Sequence, residues 1–200
     1  MVEYSKIINP QEVEKMHHRQ LVVTNRNDID EAAQEKSGIT LAINGIDHTV
    51  HALARVIYCA KDRIYLALNA SCSDNRAAFE SQEVRDALIN AAKKCVSVNI
   101  VIFQIGEFSV DGSKTISALR KCGGVINIRV DVEGHLKYKT SFCVADNVGL
   151  MKTLTTYRDE ATQKQHTYAV FFVEKVTRRI PAYYRLLKRF FKCWTVSTPV

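Results

Sequence analysis

The chain carries six histidines in 200 residues, and what each could do depends on its neighbours. The most suggestive is His135, two residues before Lys137 and followed by an alternating run that ends at Asp146. An imidazole, an amine and a carboxylate gathered in one place suit phosphodiester transfer. The other histidines offer less. His17 and His18 are adjacent, so in a helix they point about 100° apart and make a poor chelate. His48 and His51 are spaced i, i+3 but have no carboxylate or thiol at matching spacing, which reads as a helix-face pair. Asp159, Glu160 and His166 could do acid–base work only if the fold gathers them. No phosphate-binding glycine loop, Gly-x-Ser-x-Gly elbow or zinc pattern is present, so no metal or cofactor is expected.

A basic signal is sharply localised. Lys175, Arg178, Arg179, Arg185, Lys188, Arg189 and Lys192 stand with no acidic residue among them. Arg185, Lys188, Arg189 and Lys192 form an i, i+3, i+4, i+7 stripe on one side of a helix. Tyr183, Leu186, Leu187, Phe190, Phe191 and Trp194 make the opposite, packing side. Such a stripe either contacts a nucleic-acid backbone or is a solvated face. The whole chain leans the same way, with 28 Lys and Arg against 21 Asp and Glu. That balance favours acidic partners, nucleic acid first and an anionic membrane surface second.

These groups must be positioned by ordinary globular elements. With 46% hydrophobic residues, 8 Gly and 3 Pro, the composition excludes collagen-like and low-complexity chains. No stretch reaches the roughly 20 apolar residues of a membrane span. The start, Met1 to Lys6, has no basic-then-apolar leader pattern. The six cysteines (Cys59, Cys72, Cys95, Cys122, Cys143, Cys193) are therefore expected as free thiols in a cytoplasmic protein. Residues 1–42 read as an N-terminal appendage, in which Asn25-Arg26-Asn27-Asp28-Ile29-Asp30-Glu31 looks like a loop or cap leading into a polar helix. From residue 43 the periodicity predicts a helix over Thr49–Lys61, a strand over Arg63–Leu68 and a turn-rich Asn69–Asn75. A helix over Ser81–Lys94, a buried strand over Ser97–Gln104, a helix ending at Gly123-Gly124 and a strand over Val125–Val130 follow. Two strands, Lys137–Ala145 and Val148–Thr155, meet at Asp146-Asn147. A strand over Tyr168–Val173, a helix from Pro181 to Trp194 and a tail over residues 197–200 close the chain. Helices alternating with buried strands predict an α/β domain over residues 43–196, its mixed, mostly parallel sheet flanked by helices.

In the order of these elements the chain resembles one half of the phospholipase D superfamily. The resemblance rests on Ala60-Lys61-Asp62-Arg63-Ile64 at a helix-to-strand passage and on His135-x-Lys137 with Asp146. Tyr168-Ala169-Val170-Phe171-Phe172 and Phe190-Phe191-Lys192-Cys193-Trp194 mark its end. It implies a metal-independent phosphodiesterase or nuclease that assembles two His-x-Lys-x4-Asp motifs, here from a homodimer. The spacing departs from that pattern. The family places Asp seven residues after His and five after Lys, which from Asp146 lands on Lys139 and Ser141. Lys139, Ser141 and Cys143 share one strand face, opposite Tyr138, Thr140, Phe142 and Val144. His135 and Lys137 share the face of Lys139 and Ser141 but lie four residues too early, about 13 Å of strand. The Gly-Ser-x-Asn segment is replaced by Met151-Lys152-Thr153-Leu154-Thr155-Thr156. Two functions stay open: a degraded phospholipase D-like module that binds nucleic acid or a protein partner, and an active dimeric phosphodiesterase using His135, Lys137 and Asp146.

Overall fold

The computed structural model describes residues 21–22, 25–35, 37–103, 105, 108–131, 140–146, 149–154, 167–173 and 181–200. Its centre is built from β3 (Arg63–Asn69), β4 (Ser97–Phe103) and β5 (Ile126–Val130), three parallel strands in register, with Leu66 opposite Ile100 and Ile100 opposite Ile128. On one side β6 (Phe142–Ala145), β7 (Gly149–Leu154), β8 (Thr167–Val173) and β2 (Ser37–Asn44) add antiparallel, and β1 (Leu21–Val22) pairs parallel with β2. On the other side β9 (Thr198–Pro199) pairs antiparallel with β5. The order is β1-β2-β8-β7-β6-β3-β4-β5-β9. This is the expected α/β fold with a mixed sheet, but among the described strands five pairs are antiparallel and three parallel, so the sheet is not mostly parallel as the periodicity suggested; the parallel pairs are β3–β4 and β4–β5 at the centre and β1–β2 at one edge.

Five helices cover one face: α1 (Arg26–Glu35), α2 (Ile46–Tyr58), α3 (Ser73–Glu80), α4 (Gln82–Lys93) and α5 (Lys114–Cys122). Their apolar stripes, such as Val50, Leu53, Ala54 and Ile57 on α2, meet Ile64, Leu66, Val98, Ile100 and Ile128 from the sheet in the main core. The starts are capped locally. Ser81 Oγ accepts from Val84 N at 3.3 Å, and Ser113 Oγ from Ile116 N at 3.1 Å. The end of α5 requires glycine, because a Cβ on Gly124 (φ 98°) would lie 2.6 Å from the Ala92 carbonyl oxygen. The second face carries α6 (Pro181–Val196), whose Leu186, Phe190 and Cys193 pack on Ala67, Val101, Phe103, Phe142 and Val144.

Three segments differ from their sequence reading. The boundary expected at residue 42 falls inside β2, so the sheet continues into the region read as an appendage. The expected turn-rich stretch contains the start of α3. The tail is an edge strand, with Arg129 opposite Pro199 and Val130 opposite Thr198. Each depends on partners distant in sequence, which local periodicity does not report. The predicted strand over Lys137–Ala145 is described from residue 140 and is paired over Phe142–Ala145. Its first part lies outside the described residues.

Candidate functional site

The short strand β6 has two chemically unlike ends. At its C-terminal end Asp146 adopts a left-handed conformation (φ 43°). Its carboxylate accepts from three successive backbone amides, Lys61 N, Asp62 N and Arg63 N, and its own N–H donates to the Arg63 carbonyl at 2.8 Å. Both oxygens thus tie the hairpin to the turn that starts β3, and charge-assisted bonds of this kind are strong. The described contacts of Asp146 are those of an anchor.

The other end lies where the parallel strands β3–β5 terminate, the edge at which open α/β sheets place their ligands. Ser141, standing where the family spacing places lysine, is buried (8% exposed), and its Oγ accepts from Asn69 N at 2.8 Å. Asn69 is also buried. Its Oδ1 accepts from Ser71 N at 3.0 Å and Ser71 Oγ at 2.7 Å, while Asn75 Nδ2 donates to its carbonyl at 3.2 Å. Asp131 is buried at the end of β5. A cavity of about 30 Å³ opens beside Ser141, bordered by Thr49, Leu53, Asn75, Cys143 and Met151. It holds about one water molecule, too little for a phosphodiester. Asn69, Asn75 and Asp131 were missed in the sequence reading. A turn-like Asn-x-Ser and a strand-ending Asp are too common to stand out without their spatial gathering.

One residue of the basic stripe, Arg189, reaches this same end. Arg185, Lys188 and Lys192 are exposed, and Arg189, half-buried, donates from Nη1 to Thr140 Oγ1 at 3.1 Å, just before β6. The packing side of α6 needs one correction. Phe191 is 49% exposed, and Cys193, not counted on that side, is fully buried. At about 100° per residue Phe191 falls on the flank beside Phe190. Phe190 stacks on Trp194 with centroids 5.4 Å apart, and the Arg129 guanidinium lies 5.3 Å from the Trp194 ring centroid.

His51 also needs correcting. Its Nδ1 contacts Glu83 Oε1 at 2.6 Å and its Nε2 contacts Asp30 Oδ1 at 2.7 Å, with Arg55 Nε on the same Asp30 oxygen at 2.5 Å. The carboxylates that contact it come from α1 and α4, not from Asp47 of its own helix. The Arg55 hydrogen bond holds the Asp30 carboxyl below its ordinary value. His135, Lys137 and Lys139 lie outside the described residues, as do His17, His18, Asp159, Glu160 and His166. Among the described residues no group of three His, Cys, Asp or Glu side chains could hold a metal ion.

No family model matches the sequence, and no curated protein matches it. Solved structures do. A phospholipase D family member, Nuc from Salmonella typhimurium, superposes with a TM-score of 0.56 at 16% identity, over 80% of this chain and 97% of that one. The fold is phospholipase D-like. TrmBL2, an archaeal chromatin protein described with a novel mode of DNA binding, gives a TM-score of 0.57 at 16% identity, over 80% of this chain and 54% of that one. Phosphatidylserine synthase from Haemophilus influenzae Rd KW20 gives 0.50 at 8% identity, over 81% of this chain and 39% of that one. At these identities the likeness concerns the phospholipase D-like architecture alone. No described helix is long and apolar enough to cross a membrane.

Proposed function

We propose that this phospholipase D-like domain is a nucleic-acid-binding module whose phosphodiester site has decayed. The observation that carries the reading is Arg189 at Thr140: a cation from the basic helix stripe sits just before β6, the strand that carries the expected motif. The position that the family fills with lysine is the buried Ser141, bonded to a backbone amide and offering no cation to a phosphate. A basic stripe beside an inert site suits retention of a polyanion without cleavage. The DNA binding printed for TrmBL2 supports the same class of partner.

Anisotropy titration of labelled DNA and RNA at two salt concentrations tests this. Four neutralised phosphates predict a log–log slope of about −3 to −4. Changing Arg185, Lys188, Arg189 and Lys192 to Glu abolishes binding and leaves the fold intact. Wild-type protein that binds no nucleic acid in a salt-sensitive way removes the reading and leaves a protein partner as the occupant.

A second reading draws on the near-complete coverage of Nuc, since a chain of half-domain size could supply one motif to a homodimer. In it His135, Lys137 and Asp146 cleave phosphodiesters without metal. Cleavage in the presence of chelator, lost on His135→Ala, would establish it in place of the first.

A further inference from the structure

Beside α6 the sheet presents a polar row that no part of the reading above uses. Tyr65, Asn99 and Asn127 stand directly opposite one another on β3, β4 and β5. They alternate with Ile64, Val98 and Ile128 of the main core, which puts them on the α6 face. The row is rigidly set. Asn99 Nδ2 donates to Ser97 Oγ at 3.1 Å and to the Ile64 carbonyl at 3.3 Å, and Asn127 Nδ2 donates to Asn99 Oδ1 at 3.0 Å. Asn127 is exposed, and with one N–H of its amide given to Asn99 it keeps its Oδ1 acceptor and a second N–H for a ligand.

Aromatic rings border the row. Tyr65 meets Phe190 at 5.1 Å and Phe191 at 5.6 Å, both edge-on. Phe191 and Tyr184, two helical turns apart on one flank of α6, are each 49% exposed, and the exposed Lys188 lies between them. Exposed Arg63 stands two residues before Tyr65, on the same face of β3. The carboxylates near Arg63 are Asp62 and Asp146, and Asp146 is committed to the backbone of residues 61–63.

We infer that this face holds an unpaired nucleic-acid strand: bases stack on Phe191 and Tyr184, Asn127 Oδ1 accepts from a base amino group, and phosphates lie along Lys188, Lys192 and Arg63. The inference rests on the nucleic-acid reading of α6 and narrows it to single strands. Half-exposed rings flanked by cations suit an anion that also carries flat apolar faces, and a paired duplex has no free base face to give them. A second copy seated here would set this basic flank against itself.

The test compares a labelled 20-nucleotide oligo-dA, an oligo-dC, an oligo-dT and a mixed-sequence duplex of equal length, each titrated into the full chain at one salt concentration. Trp194, the single tryptophan, is followed in parallel. Single strands bind tighter than duplex and change Trp194 emission. Phe191→Ala and Tyr184→Ala each weaken single-strand binding about fivefold to a hundredfold and leave duplex binding unchanged, whereas Phe191→Tyr retains it. Asn127→Ala lowers the preference for oligo-dA and oligo-dC, which carry exocyclic amino groups, over oligo-dT. Equal affinity for strand and duplex, or an unchanged single-strand affinity in Phe191→Ala, overturns the inference. If the four-Glu variant still loses all binding in that case, the reading of α6 survives. Phe191→Ala that changes sedimentation mass and leaves oligonucleotide affinity intact overturns it in favour of self-association. A wild type that binds neither probe removes both.

Discussion

The two faces of the sheet are built from the same strands and do opposite things. The face under α1–α5 is dry: Ile64, Val98, Ile100, Val84, Leu88 and Ile116 are fully buried. Among the described residues the face under α6 has one helix for cover, and its apolar cluster stops at Tyr65, Leu187 and Trp194 and gives way to Asn99, Asn127, Arg63 and Arg129. A strand with one residue in two on each face can satisfy both demands, because alternation decouples them. Helices are layered over the first face, and on the second the polar residues beside α6 are left exposed or half-buried.

The sharpest way to break this comparison is at the edge of the α6 cluster. Phe190→Ala is expected to cost about 3–5 kcal/mol, the range for a buried aromatic, read by urea or thermal denaturation. Its neighbour Phe191→Ala is expected to cost under about 1 kcal/mol, since half of that ring already faces water. Equal losses at the two positions would mean that the α6 face is closed in solution.

The ends of β6 give the next contrast. Asp146→Ala removes an acceptor shared by three backbone amides and is expected to destabilise by about 2–4 kcal/mol. Ser141→Ala, which loses one neutral hydrogen bond, should cost about 1 kcal/mol. Denaturant midpoints of the two variants measured side by side check the order, and a reversal would locate the anchor at the other end.

The charged cluster that binds α1 to the dry face sharpens the picture through pH. The Asp30 carboxyl is held low, first by its hydrogen bond to Arg55 and then by His51. A depressed folded value means that its stabilisation is full above the unfolded carboxylate value. It is lost as pH falls through the folded one, that is, below about pH 4. Wild type should therefore lose its advantage over Asp30→Asn on acidification. Arg55→Gln, lacking the largest cause, should shrink the difference at neutral pH.

The smallest expected effect concerns thiols. All six cysteines are free. Burial pushes Cys143 of the dry face up to about 12 and Cys193 of α6 up to about 11. With a thiol reagent at pH 8, exposed Cys95 should react first. In mild denaturant Cys193 should follow before Cys143, because one helix is released more readily than a layered core. Mass spectrometry of timed samples reads the order, and Cys143 reacting before Cys193 would invert the assigned strengths of the two faces.

Much of this was legible in the residues themselves. Periods of 3.6 and 2 locate α2, α4, α5, β3, β4 and β5, and the basic and apolar sides of α6, because those signals are carried by neighbours in sequence. The α/β class and the phospholipase D-like order follow from the succession of such elements. The register argument on Lys139 and Ser141 is also pure sequence, since alternation along a strand has a fixed period.

Tertiary structure alone decided the rest. Nothing local marks β2 or β9 as strands, because each exists through a partner remote in the chain: Leu41 opposite Val170, and Thr198 opposite Val130. The carboxylates around His51 come from Asp30 and Glu83, 21 and 32 residues away, so no spacing rule could have found them. Asp146 was legible as the end of a motif, but its use as a backbone anchor depends on where residues 61–63 turn. Phe190 and Phe191 are identical letters side by side. A rotation of about 100° between successive residues buries one and leaves the other half in water.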